Sequence, residues 1–171
     1  MTPELAQFLA EQLTNLMQGE FPATCKVLAA VKDTTRDYRP DAKSRSAWEL
    51  ATHLATADIW FLDSIRTGTF VWDEAAVKQA ESQFASVADI VAFYEKTYPE
   101  KLAAIRAMAP ADLAKKISFF GMMEMPAASF LGMANNHGIH HRGQLAAYLR
   151  AMGAKVPAIY GGSADEPMMA S

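Results

Sequence analysis

AASFLGMANNHGIHHRGQLAAYLRAM, residues 127–152, is the stretch from which the rest of the chain is read. It is rich in alanine, leucine and methionine, which favour helix. No apolar–polar alternation interrupts it, and Gly153 stops it. Residues advance about 100° per step around a helix, so His137 and His141, four apart, differ by about 40° and stand one above the other. Two imidazoles at that spacing can hold one metal ion. Gln144 and Tyr148 lie on the same stripe. His140 is about 60° from His137 and about 100° from His141, so all three cannot easily aim at one point. His137 and His141 are therefore the candidate ligands, and His140 is assigned to solvent or a dimer surface.

The same periodicity predicts three further long helices. The first runs from about Pro3 to Val31, with Thr2 as cap and Pro3 in the first turn. Leu5, Phe8, Leu9, Leu13, Leu16 and Met17 recur at helical spacing, and Gly19-Glu20-Phe21-Pro22 is expected to kink or interrupt it. The second is capped by Ser44 or Ser46, with Glu49 three residues after Ser46 as a capping box requires, and runs to about Arg66. Thr67-Gly68-Thr69 ends it. Phe70 to Ala85 reads as a loop with a short helical turn. The third helix spans about Ser86 to Met108, with Asp89 in its first turn and a kink expected at Pro99. Pro110-Ala111-Asp112 starts a short link, and Lys116 to Met125 is either a short extended pair or a loose loop. The pattern is all-α: a four-helix bundle with one or two longer connections, formed by residues 1–171 as one domain.

A third ligand must come from outside the last helix. His53 is the remaining histidine of four, on or near the buried side of helix two among Leu50, Leu54, Ala57 and Trp60. Bundles bring facing helices together at such sites. Three neutral imidazoles with an open position make a catalytic type of site, whereas a closed structural site more often has four ligands, usually with thiolates. Zn²⁺, Ni²⁺ and Fe²⁺ all suit imidazole. The competing reading is that each histidine is a hydrogen-bonded core residue.

Composition removes several classes. The chain has 171 residues, 51% of them hydrophobic, and a net charge of −3. That is too apolar for disorder, and the charge argues against a binder that tracks nucleic-acid phosphates. The start Met1-Thr2-Pro3-Glu4-Leu5 does not read as a secretion signal. The single cysteine, Cys25, cannot form an internal disulfide, so the cytoplasm is the expected compartment. The most apolar stretch, Ile117 to Ala134, is broken by Gly121, Glu124 and Pro126, which argues against a membrane span.

Two segments carry a family resemblance. His137-Gly138-Ile139-His140-His141-Arg142-Gly143-Gln144-Leu145, followed by Tyr148-Leu149-Arg150, Gly153, Pro157 and Tyr160-Gly161, resembles the C-terminal signature of the DinB family. Ser46-Ala47-Trp48-Glu49-Leu50-Ala51-Thr52-His53-Leu54 resembles that family's first-ligand segment. The resemblance implies a four-helix bundle, a homodimer, and a divalent metal held by His53, His137 and His141, the set that helix geometry selects. It also implies chemistry, since the superfamily includes transferases and isomerases that use bacillithiol, mycothiol or glutathione. The first expectation is thus a thiol-dependent S-transferase or related detoxifying enzyme acting on a small molecule through a metal-activated thiolate. The alternatives are a metal-dependent hydrolase, with Glu49 as the candidate general base, and a non-enzymatic metal-binding stress-response protein.

Other residues are read more blandly. Gln144 either braces a ligand or fills an interhelix position. Arg142 faces away from the stripe and is expected in a salt bridge within the bundle, with an anionic thiol as the alternative partner. Tyr160 covers the pocket or packs, and Cys25 is a small core residue. Met122-Met123-Glu124-Met125 fills irregular space near the last helix, meets a partner, or lines an entrance. Trp48, Trp60, Phe61 and Phe130 are core first and pocket walls second.

Overall fold

Thr2 and Pro3 open the first helix as read: the Thr2 hydroxyl accepts from the Leu5 amide at 3.3 Å, and α1 spans Pro3–Ala30. The structure is a computed structural model and describes residues 1–168; residues 169–171 of the expected 1–171 domain lie outside the described residues. Pro22 sits inside α1 without interrupting it. A proline removes only one i→i−4 donor, and buried Met17, Thr24, Val27 and Leu28 hold the turns on either side against the core.

Helix α2, Ala47–Thr67, begins at a complete capping box: the Ser46 hydroxyl accepts from the Glu49 amide, and the Glu49 carboxylate accepts from the Ser46 amide. Gly68 ends it with φ 75°, a left-handed conformation that a Cβ would disfavour. The next segment departs from expectation. In place of a loop with one turn it holds a helix, α3, Glu74–Ser82, whose Ala75 and Ala76 amides donate to the Asp73 carboxylate. Helix α4, Val87–Arg106, has its own capping box from Ser86 and Asp89 and continues through Pro99. The link at Pro110 is a short helix, α5, Pro110–Ala114. An antiparallel hairpin follows, β1 Lys116–Phe119 and β2 Met123–Pro126, with Lys116 opposite Pro126 and Phe119 opposite Met123. This resolves the earlier choice in favour of the extended pair. Helix α6 spans Ala127–Ala151, and Gly153 follows it at φ 68°.

The four long helices form a ring in which α1 and α2 each lie against both α4 and α6, so α1/α2 and α4/α6 occupy the diagonals. The connections 68–86 and 107–126 carry the smaller elements, and α3 packs beside α2. Met17 and Leu28 of α1, Leu50, Leu54 and Leu62 of α2, Ile90 and Leu102 of α4, and Phe130, Leu131 and Leu145 of α6 fill the centre. Each such side chain contributes about 1.5–3 kcal/mol by leaving water. Among the described residues, no helix is long and apolar enough to cross a membrane. For function, the decisive contact is the seam between α2 and α6, which carry His53 and the histidine cluster.

Candidate metal centre

The rings of His53, His137 and His141 form a triangle. Centroids lie 5.3 Å apart for His53 and His137, 4.8 Å for His53 and His141, and 4.4 Å for His137 and His141. One ligand nitrogen from each falls within 4.8 Å of the others, and all three residues are half-buried, so these residues could hold a metal ion. His140 is exposed and lies outside the group, its ring against that of His141 at 4.8 Å.

Each imidazole has an oxygen beside its Nδ1. His141 Nδ1 is 2.8 Å from Gln144 Oε1, His53 Nδ1 is 3.4 Å from Glu81 Oε1, and His137 Nδ1 is 3.8 Å from Asp58 Oδ1. Such oxygens favour the tautomer with its proton on Nδ1 and leave Nε2 as the ligand atom. Only the first pair is a hydrogen bond; the other two are electrostatic contacts. Asp58 Oδ1, Glu81 Oε1 and His137 Nδ1 are buried without hydrogen-bond partners among the described residues. Buried polar atoms left unpaired are costly, and three of them around one imidazole triangle fit a site built for an ion.

Electrostatics agree with that donor set. Burial, followed by the nearby positive charge of Arg45, pushes the His53 imidazole down to about 3. Burial likewise lowers His141 to about 4. Both rings are therefore neutral near pH 7, as metal ligands must be. Asp58 and Glu81 are pushed up by burial, Asp58 against the opposing pull of His137 and Tyr94. The Tyr94 hydroxyl donates to Asp58 Oδ2 at 2.8 Å, tying α4 to α2 behind the site. Gly138 lets α6 approach: a Cβ there would stand 3.1 and 3.2 Å from the two Asp58 oxygens.

Several expectations can now be placed. Gln144 meets His141, the bracing contact, although it is exposed. Glu49, the candidate base for hydrolysis, is engaged elsewhere: one oxygen caps α2 and the other accepts from Arg39 at 2.9 Å. The Ser46 amide is the main reason its carboxyl sits below the usual range, so it is a poor proton acceptor. Arg142 is only 1% exposed and pairs with Glu20 at 2.5 Å, the expected salt bridge within the bundle. Tyr160 joins that pair, accepting from Arg142 at 2.6 Å and donating to Glu20 at 2.8 Å, so the tail fastens to α1 and α6. Cys25 is half-buried, and burial pushes its thiol up to about 11, which suits a core residue and not a nucleophile. Phe61 and Phe130 are buried, and the Phe61 ring lies 5.1 Å from His137. Trp48 is half-buried beneath the Arg36 guanidinium. Met122 and Met123 are exposed on the hairpin, while Met125 packs against the core.

Sequence reasoning missed Asp58, Glu81 and Arg45. A signal existed for Asp58, an acid between Ala57 and Ile59 in an otherwise apolar stripe. For Glu81 there was none, because its contact depends on how α3 folds against α2. It also missed a cavity of about 510 Å³ that reaches His53 from between α2 and α3, with Trp60, Trp72 and Phe93 in its wall.

Comparison with known proteins places this geometry. The DinB family profile matches residues 4–168. The protein YjoA of Bacillus subtilis (strain 168) is 32% identical over 120 residues, covering 68% of this chain and 73% of that protein. The crystal structure of that DinB-like protein superposes with a TM-score of 0.68 at 23% identity, covering 92% of this chain and 99% of the other. A DinB-like protein from Bacillus cereus ATCC 10987 gives 0.73 at 25% identity, covering 88% and 97%. A mutant of the mycothiol-dependent maleylpyruvate isomerase shares the fold more distantly, with a TM-score of 0.52 at 14% identity over 92% of this chain and 65% of that one. A profile match over nearly the whole chain, joined to a shared helical architecture, establishes that this chain belongs to the DinB family.

Proposed function

We propose that His53, His137 and His141 hold one divalent metal ion, Zn, Ni or Fe, and that the protein is a thiol-dependent S-transferase or a related detoxifying enzyme. The observation that carries this reading is the convergence of three imidazoles, each with an oxygen beside its Nδ1, one of them, His53, in the wall of an apolar cavity. When bound, such an ion acts as a Lewis acid that favours the thiolate of a small thiol over the thiol. Gln144, Glu81 and Asp58 orient the three rings, and Phe61 covers the His137 side against water. In the transfer the thiol sulfur bonds to an electrophilic carbon, the leaving group departs with its electron pair, and the thiol proton goes to solvent. The fold is shared with a mycothiol-dependent isomerase, which supports a thiol as co-substrate. Glu49 is occupied, so the hydrolytic alternative lacks its candidate base. The same reading includes a homodimer, supported by Leu5, Phe8 and Leu16 exposed on α1.

Elemental analysis of the purified protein should find close to one divalent metal per chain. His141→Ala should lose most of it and His140→Ala should keep it; equal loss from both rejects the ligand set. The metal-loaded protein is then screened against electrophiles with and without bacillithiol, mycothiol and glutathione. Turnover only with a thiol is the expected result. Turnover without one points to hydrolysis, and no turnover in either arm favours the non-enzymatic reading.

A further inference from the structure

Helix α3 has an odd position for a helix of nine residues. None of its residues is buried, and its half-buried Val77 and Ala80 line the cavity beside α2. Isolated helices this short are marginal in water, so α3 depends on what lies beneath it. What lies beneath is largely open volume, about 510 Å³, within the range of small-molecule sites.

The walls specify the chemistry of an occupant. Trp60, Val71, Trp72 and Phe93 provide flat apolar surface. Trp60 is fixed by its Nε1, which donates to the Val71 carbonyl at 3.0 Å, and Trp72 packs edge-to-face on it with ring centroids 6.2 Å apart. Trp72 is 58% exposed at the rim, a large apolar side chain left in water. No lysine or arginine lines the cavity among the described residues; its charged side chains are Asp63 and Asp73. Both are already committed. Asp63 accepts from Lys101 at 2.8 and 2.7 Å, and Asp73 caps α3 at 2.9 and 3.1 Å. Apart from a metal held at His53, an anion entering here would lose its hydration and find no cationic side chain in the wall, which is costly.

We propose that the cavity between α2 and α3 binds an uncharged, largely apolar small molecule carrying an aromatic ring, packed against the Trp60–Trp72 pair and Phe93 and completing the apolar packing under α3. Its identification as the electrophilic substrate rests on the proposed function, because His53 lines the cavity. The binding itself does not depend on the metal.

Two dyes that share one ring system separate the chemistry: N-phenyl-1-naphthylamine, which is uncharged, and 8-anilino-1-naphthalenesulfonate, which carries a sulfonate. The uncharged dye should bind the metal-loaded protein saturably, once per chain, with quenching of tryptophan emission. In the metal-free protein, where no cation stands at His53, the sulfonate should bind roughly tenfold more weakly than the uncharged dye or worse, since it brings an unpaired charge into an apolar wall. Ala80→Phe and Val77→Phe fill the cavity and should weaken the uncharged dye by about tenfold or more, while Ala75→Phe, on an exposed α3 position outside the lining, should leave binding unchanged. Circular dichroism melts of the three variants check that each is folded. Sulfonate binding to the metal-free protein as tight as that of the uncharged dye, or filling variants that bind like the wild type, overturns the proposal. Metal analysis on the same samples keeps the two readings apart. A protein with its metal but no dye site refutes only the cavity assignment, whereas a metal-free protein that binds the dye refutes only the metal assignment.

Discussion

Asp58 and Gly138 form a matched pair. The carboxylate sits in a wall made by α2, α4 and α6, held at one oxygen by Tyr94 and turned at the other towards His137. It can stand there because position 138 has no side chain. Asp58→Asn keeps the shape but replaces the acceptor charge behind His137, and metal affinity should fall by about 10–100-fold, measured by competition with a chromogenic chelator. Unchanged affinity means that Asp58 only packs. Replacing glycine by alanine inside a helix ordinarily stabilises by about 0.5–1 kcal/mol. Gly138→Ala should show no such gain in urea unfolding and should weaken metal binding, because the new methyl presses on both carboxylate oxygens. A normal helix-propensity gain with full metal content would show that the two residues are not coupled.

At the scale of elements, the start of α2 fixes where His53 points. Ser46 and Glu49 satisfy each other's amides, and Arg39 holds the Glu49 carboxylate from outside. Ser46→Ala should cost about 1 kcal/mol of stability by chemical denaturation, the usual value of a lost N-cap. Glu49→Gln should cost less, since its amide oxygen still accepts from Ser46. If Ser46→Ala is neutral, the cap is not what sets the register of α2. The elements also differ in how local their signals are. The cap at Thr2, the capping box that Glu49 offers Ser46, the helix start near Ser86 and the stops at Gly68 and Gly153 are properties of a few adjacent residues and were legible, although Ser44 stayed open as the α2 cap and Ser86 was not read as one. Helix α3 was not, because its apolar residues face a cavity and leave only a weak stripe.

At the scale of the molecule, the depressed imidazoles couple the site to overall stability. In the folded metal-free protein His53 and His141 titrate at about 3 and about 4, whereas in the unfolded chain each returns to about 6.5. Between those limits the unfolded chain binds protons that the folded chain refuses. Stability from this source is therefore complete above about pH 6.5 and is lost as the pH falls towards 4. Asp58 and Glu81 act in the opposite sense, because their raised carboxyls hold a proton in the folded state that the unfolded chain releases. A variant isolates the imidazole part: metal-free wild type should lose Tm between pH 7 and pH 5 more steeply than His53→Gln. Parallel slopes would show that His53 is not kept neutral by folding.

The order and ends of the long helices, and the pairing of His137 with His141, followed from the sequence alone, because helix periodicity and capping act over four or five residues. Which histidine completes the triangle could be named only because few were available; its distance from the other two depends on α2 lying against α6. The oxygens behind the rings, the engagement of Glu49 with Arg39, and the cavity under α3 were decided by the tertiary structure. Each joins residues far apart in the chain, and packing, not local periodicity, sets where such residues meet.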